Sequence, residues 1–249
     1  KEQGKLTEAL ANAIASADTK VLLEDLYLPY RPKRRSKAQA AREAGLEPLA
    51  LQLLNTPCDP TQAARAFVNP EKEIADTDAA LAGAQQIVIE QLSEQAALLQ
   101  RLRVWLWQNG IINVSVARGK ASENSKFRDY YDHQEAIRSM PSHRTLAMLR
   151  GNKEGELKIT LLPPESMMKE PIHIITQHCR VPAGKGHREL WLQNCVDQTW
   201  SQKLQKQIEN DLLKRLREEA ETEAINVFAR NLKDLLLAAP AGQKITLGL

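Results

Sequence analysis

The 249-residue sequence has a formal charge of +3, with 43% hydrophobic and 26% charged residues, an ordinary soluble composition. It contains no apolar run near the roughly 20 residues needed to span a membrane, and no membrane partner is expected. Arg31, Lys33, Arg34, Arg35, Lys37 and Arg42 fall in one stretch without an acid, so the rest of the chain is net acidic and the basic character is local.

The first four residues, KEQG, hold neither an initiator Met nor an apolar signal core, and the last six, KITLGL, read as a strand just begun. The chain therefore reads as an internal piece of a longer polypeptide. Residues 6–17 are helix-like, and Asp18 or Thr19 caps a second helix running toward Leu26, which Pro29 and Pro32 stop. Residues 37–54 read as two short helices broken at Gly45, with Pro48 in the first turn of the second. Asp59 or Thr61 caps a further helix ending near Asn69 and Pro70. From Thr77 to Gln108, the apolar positions Ile87, Val88, Leu92, Leu99, Leu102 and Leu106 predict one long helix, stopped by Asn109-Gly110.

Residues 111–116, IINVSV, alternate and predict a strand whose partner is residues 156–162, ELKITLL. Between them, residues 126–151 predict two helices, with Pro141 opening the second and Gly151 past its end. Beyond Trp191, the positions Trp200, Leu204, Ile208, Leu212, Leu216, Ile225, Phe228, Leu232 and Leu236 predict a helix of roughly 40 residues, about 60 Å if unbroken. The expected fold class is mainly α: a multihelical scaffold with a helix-turn-helix-like unit near 37–54, a very long helix near 198–238 and a small two-stranded β element. The linear division is an N-terminal helical region over 1–117, a central helical region over 118–240 and the start of a further domain over 241–249.

Chemistry concentrates in the basic stretch. Two prolines stiffen it, which lowers the entropy lost when it is ordered on a ligand. Tyr27 and Tyr30 can stack on unpaired bases or anchor the segment to the helical body. The helix-turn-helix-like unit offers only Glu47 and Gln52 as polar groups on its second helix, which fits packing better than reading of bases. Lys126, Arg128, Arg138, Arg144 and Arg150 are interleaved with Phe127, Tyr130 and Tyr131, but Asp129, Asp132 and Glu135 offset them, so internal ion pairs are the expectation.

His173, His178, Cys179, His187 and Cys195 lack paired metal-ligand spacing, so no metal site is expected. GKG at 184–186 is not a phosphate-binding loop, and Ser142-His143 has no third partner. Cys58, Cys179 and Cys195 form an odd set without CxxC, which fits a reduced cytoplasmic protein. No catalytic residue, cofactor or small-molecule substrate is expected.

Four stretches together, LLEDLYLPYRPKRRSKAQAAREAGLEPLA (22–50), KFRDYYDH (126–133), PSHRTLAMLRG (141–151) and AINVFARNLKDLLLAAPAG (224–242), resemble the bacterial Tex proteins, the transcription accessory factors. Nothing is carried over for residues 163–197. The resemblance implies a cytoplasmic, nucleic-acid-binding, transcription-linked protein with a helical scaffold. It implies that an RNase H-like domain, helix-hairpin-helix motifs and an OB-fold domain follow this region, with 241–249 as the first strand of the RNase H-like domain. The expected partner is RNA or DNA, gripped through its phosphate backbone by Arg31, Lys33, Arg34, Arg35, Lys37 and Arg42, with Tyr27 and Tyr30 as stacking candidates. The alternative is a platform that docks on transcription or ribosomal machinery without touching nucleic acid.

Overall fold

A computed structural model describes residues 6–30, 36–182 and 184–238. The chain divides into two compact units, one built from residues 1–107 and 163–210, the other from 108–162 and 211–249. The first unit is thus left and re-entered, a path that a linear division does not draw.

The first unit is helical. Helix α1 (Glu8–Ala15) and helix α2 (Lys20–Tyr27) each begin on a threonine whose hydroxyl accepts a backbone N–H three residues on, Thr7 from Leu10 and Thr19 from Leu22, both at 3.2 Å. A tight turn, Leu28–Tyr30, follows. Helices α3 (Lys37–Glu43) and α4 (Glu47–Asn55) form the expected pair broken at Gly45. Gly45 has φ +89°, a left-handed conformation that a side chain would strain. Asp59 caps α5 (Pro60–Arg65), which stops short of the predicted end near Pro70.

Helix α6 (Thr77–Ser93) is the axis of this unit; α3, α4, α5 and α10 (His187–Thr199) all pack on it. Its residues Ala80, Ala84, Ile87, Val88, Ile89 and Leu92 are buried. The single helix expected over 77–108 is in fact two, because α6 ends at Ser93 and α7 (Ala96–Asn109) starts afresh. No Gly or Pro marks the break. The buried Ser93 hydroxyl donates to the Glu90 carbonyl at 2.9 Å, a local bond that competes with continued helix. Helix α9 (Glu170–His178) precedes α10 and packs on it.

The second unit holds a three-stranded antiparallel sheet in the order β2-β1-β3, with β1 (Ile111–Val116), β2 (Asp132–Ala136) and β3 (Leu157–Leu162). The predicted pairing of β1 with β3 is present, with Ile112 opposite Leu161 and Val114 opposite Ile159. The third strand corrects the two-stranded expectation, since residues 126–136 form a short turn and a strand rather than a helix. In β2, His133 and Glu135 are half-buried and Asp132, Gln134 and Ala136 are exposed, a period of two that fits the free edge of β1.

Helix α8 (Ser142–Lys153) packs on β3. Gly151 lies inside this helix rather than past its end. A Cβ there would stand 2.6 Å from Leu157 Cδ1 and 3.1 Å from Phe127 Cδ1, so the missing side chain is what lets helix and strand close.

The long helix is also divided. Helix α10 runs into one π-helical turn, Trp200–Leu204, and α11 (Gln205–Leu236) continues for 32 residues, about 48 Å at 1.5 Å per residue. The expectation for residues 241–249 lies outside the described residues.

Candidate nucleic-acid interface

Arg31, Lys33, Arg34 and Arg35 lie outside the described residues, and the structure speaks to the elements that carry them. On one side stands α2, whose Asp25 is only 3% exposed. Its carboxylate is gripped by both terminal nitrogens of Arg103 on α7, with Nη2 at 2.9 Å from Oδ1. On the other side stands Ser36, the N-cap of α3. Its hydroxyl accepts the Gln39 N–H at 3.0 Å and donates to the Glu90 carboxylate of α6 at 3.2 Å. The same carboxylate pairs with Arg42. Two buried acids, Asp25 and Glu90, therefore clamp the chain on both sides of the basic stretch. Such pairs fix register because either partner left alone is a charge out of water.

The clamp divides the predicted site residues. Lys37, on the first turn of α3, is exposed. Arg42 is an internal partner: it meets Glu90 and, at 3.5 Å, Glu47, so the fold itself engages its charge. Tyr27 is 54% exposed and Tyr30 is 37% exposed, so neither is an anchor sunk in the core.

The signal for the clamp was present in the sequence but not local. Glu90 sits inside IVIEQL, where a charge in an apolar run asks for a partner, and its partners are 48 and 54 residues away.

Two members of the other cationic cluster, Lys126 and Arg144, are engaged internally, while Arg128, Arg138 and Arg150 are exposed. Lys126 pairs with Glu154 at 2.9 Å and lies 4.9 Å from the centre of the buried Phe127 ring. Arg144 donates to Glu135 at 2.6 Å, and His133 Nε2 stands 3.1 Å from the same carboxylate. Burial works to raise the Glu135 carboxyl, but the bonds from Arg144 and then His133 outweigh it and hold the group below its ordinary value. Glu156 is likewise held low by the Ser125 and Tyr131 hydroxyls, which tie the loop after β1 to β3.

A cleft of about 220 Å³ is lined by Pro57, Cys58, Asp59, His187, Arg188 and Glu189. It combines residue types that serve in catalysis, yet the groups are spent on structure. Asp59 caps α5 and is held below its ordinary value first by the Gln62 N–H and then by His187, 3.1 Å away. Arg188 donates to the Leu53 and Leu54 carbonyls, both at 2.8 Å, capping the end of α4. No hydrogen bond joins Cys58 to His187 among the described residues. Burial pushes the Cys179 thiol up to about 11 and the Cys195 thiol up to about 12, far from a thiolate at neutral pH. Ser142 donates to Glu223 and not to His143. Among the described residues no group of His, Cys, Asp or Glu could hold a metal ion, and no helix is long and apolar enough to cross a membrane.

The class that these elements define is a mainly α protein with one small three-stranded antiparallel sheet. The family model described as Tex central region-like matches residues 55–228, and the chain belongs to the Tex family. It is 48% identical over 256 residues to Protein YhgF of Escherichia coli (strain K12), covering 100% of this chain and 33% of that protein. It is 49% identical over 254 residues to Transcriptional accessory protein Tex of Neisseria gonorrhoeae, with the same coverage. Similarity extends to S1 RNA-binding domain-containing protein 1 of Homo sapiens, 25% identical over 259 residues, covering 100% of this chain and 26% of that protein. The chain spans about a third of the length of the first two of these relatives.

Proposed function

We propose that this chain is the helical scaffold of a cytoplasmic transcription accessory factor that binds RNA or DNA through its phosphate backbone without reading sequence. In this reading the basic stretch adds an auxiliary contact to the grip of the intact protein. The observation that carries it is the double clamp. A segment rich in cations, fixed at both sides by Asp25 and Glu90, presents charge with less entropy lost on binding than a free tail would lose.

The names of the relatives, a transcriptional accessory protein and an S1 RNA-binding protein, support the same setting. The phosphate set is Arg31, Lys33, Arg34, Arg35 and Lys37, with Tyr27 and Tyr30 available for stacking; Arg42 leaves the set because Glu90 holds it. Base reading by α4 is not part of this proposal: beside the exposed Gln52 and Asn55 its exposed surface holds the acidic Glu47 and the apolar Leu51. We assign no catalysis to these residues.

A salt titration with single-stranded RNA tests this. Five contacts at about −0.7 each give a log–log slope near about −3.5, and replacing Arg34 and Arg35 by Ala brings it to about −2. Binding that is absent at low salt, or a slope that the double variant leaves unchanged, removes the contact. The second reading, a platform that docks on transcription or ribosomal proteins, draws on α1 and α2, where Ile14, Val21 and Leu23 are exposed. Affinity purification with nuclease separates the two: partners retained after digestion favour the platform, and partners lost favour nucleic acid.

A further inference from the structure

Residues 108–162 carry nine cations against six acids, in a segment that holds none of the basic stretch. The fold gathers most of that charge at one end of the sheet. There β1 ends opposite the starts of β2 and β3, and α8 ends in the turn that leads into β3. Arg118 and Lys120 lie on the loop after β1 and Arg128 on the short turn before β2. Arg150 and Lys153 stand in the last turn of α8, and Lys158 near the start of β3. All six are exposed, and no ion pair engages them among the described residues.

The acids of this rim are fewer and partly occupied. Glu154 pairs with Lys126, and Glu156 accepts the Ser125 and Tyr131 hydroxyls, which leaves Glu123, Asp129 and Asp132. The same contacts tie the connections together, and the Ala117 N–H adds to them by donating to the Glu156 carbonyl at 2.7 Å. A Cβ built at Gly119 or Gly155 would meet nothing within 4 Å, so the turns of the rim face open space. Ordinary uses of surface cations cover half of the set. Arg150 and Lys153 complement the carbonyl end of α8, and Lys158 guards an outer strand of the sheet against pairing with another chain. Arg118, Lys120 and Arg128 have neither duty.

We propose that this rim is a second contact for the phosphate backbone of RNA or DNA, centred on Arg118, Lys120 and Arg128. It rests on the reading that the intact protein binds nucleic acid, and it adds a surface in the unit that lacks the basic stretch. Cations held near one another without acids make a local positive field, and a strand laid on them releases its own counterions. Loops already tied to each other lose less freedom on binding than free ones. Contacts of this kind position a strand and carry no sequence information.

The test is a salt titration of the full-length polypeptide with single-stranded RNA and, in parallel, single-stranded DNA of the same length. Arg118→Ala, Lys120→Ala and Arg128→Ala together remove three contacts at about 0.7 each, so the log–log slope is expected to become shallower by about 2. Affinity near 0.1 M salt is expected to fall about a hundredfold on both strands, with the melting temperature unchanged. Arg118→Lys with Arg128→Lys keeps the charge and is expected to keep the parent slope. So is Arg138→Ala, at the opposite end of the sheet. A triple alanine variant with the parent slope overturns the proposal; if Arg34→Ala with Arg35→Ala still flattens the slope, the reading of the basic stretch stands without it. A parent protein that binds neither strand at low salt overturns both.

Discussion

Two sets of ion pairs in this molecule use the same chemistry in opposite surroundings. Beside the basic stretch, Arg103 meets an Asp25 whose side chain is 4% exposed, and Arg42 meets a Glu90 at 7%. Along α11, Lys214–Glu218 and Arg215–Glu219 lie four residues apart with every side chain more than half exposed. The buried pairs are expensive to break, because either partner alone is a desolvated charge. The surface pairs hold long side chains in water, where screening and rotamer entropy cancel most of the attraction. Burial decides what an ion pair does: the first set fixes where a segment sits, and the second keeps a helix in solution.

Glu90→Ala sharpens this comparison most. It strips Arg42 and Ser36 of their shared acceptor and is expected to lower unfolding free energy by about 3 kcal/mol, the low end for a broken buried pair because Arg42 keeps Glu47. Denaturant midpoints measure it. Replacing both partners, Arg42→Met with Glu90→Leu, is expected to recover most of the loss; if the double variant is as unstable as the single one, the stranded-charge account is wrong.

Glu135 lies between the extremes, partly buried and shared by Arg144 and His133. Its carboxyl is held below its ordinary value of 4.5 in the fold, so its contribution is complete above that pH and fades as acid titrates the folded group. Glu135→Gln should therefore lower the melting temperature at pH 6, and the gap to the parent protein should narrow as the pH falls below 4.5. A gap that stays constant with pH means the residue acts by shape. Smallest is Lys214→Ala on α11, expected to change stability by no more than about 0.5 kcal/mol and to shift still less in high salt.

Where structure follows local chemistry, the sequence was readable. Thr19 as a cap, Gly45 as a break, Pro48 in a first turn and the alternation of residues 111–116 each act within a few residues, and each stands where expected. Features made by distant partners were not. The strand over residues 132–136 is polar and exists because β1 offers it an edge. The break after Ser93 carries no Gly or Pro, and Gly151 looked like a terminus because its packing partners, Leu157 and Phe127, cannot be seen from its neighbours. The basic stretch was conspicuous as charge, but its clamps are contacts across 48 to 78 residues.

The π-helical turn settles a question of phase. Leu192, Val196, Trp200, Leu204 and Ile208 are all buried, and they recur every four residues. In a uniform α-helix each such step overshoots one revolution by about 40°, so four steps would carry Ile208 most of the way to the opposite side. The wider winding between Trp200 and Leu204 takes more residues to come around and turns the line of side chains back. One loosened turn takes back part of that drift and keeps a strict four-residue rhythm on one side of the helix for longer.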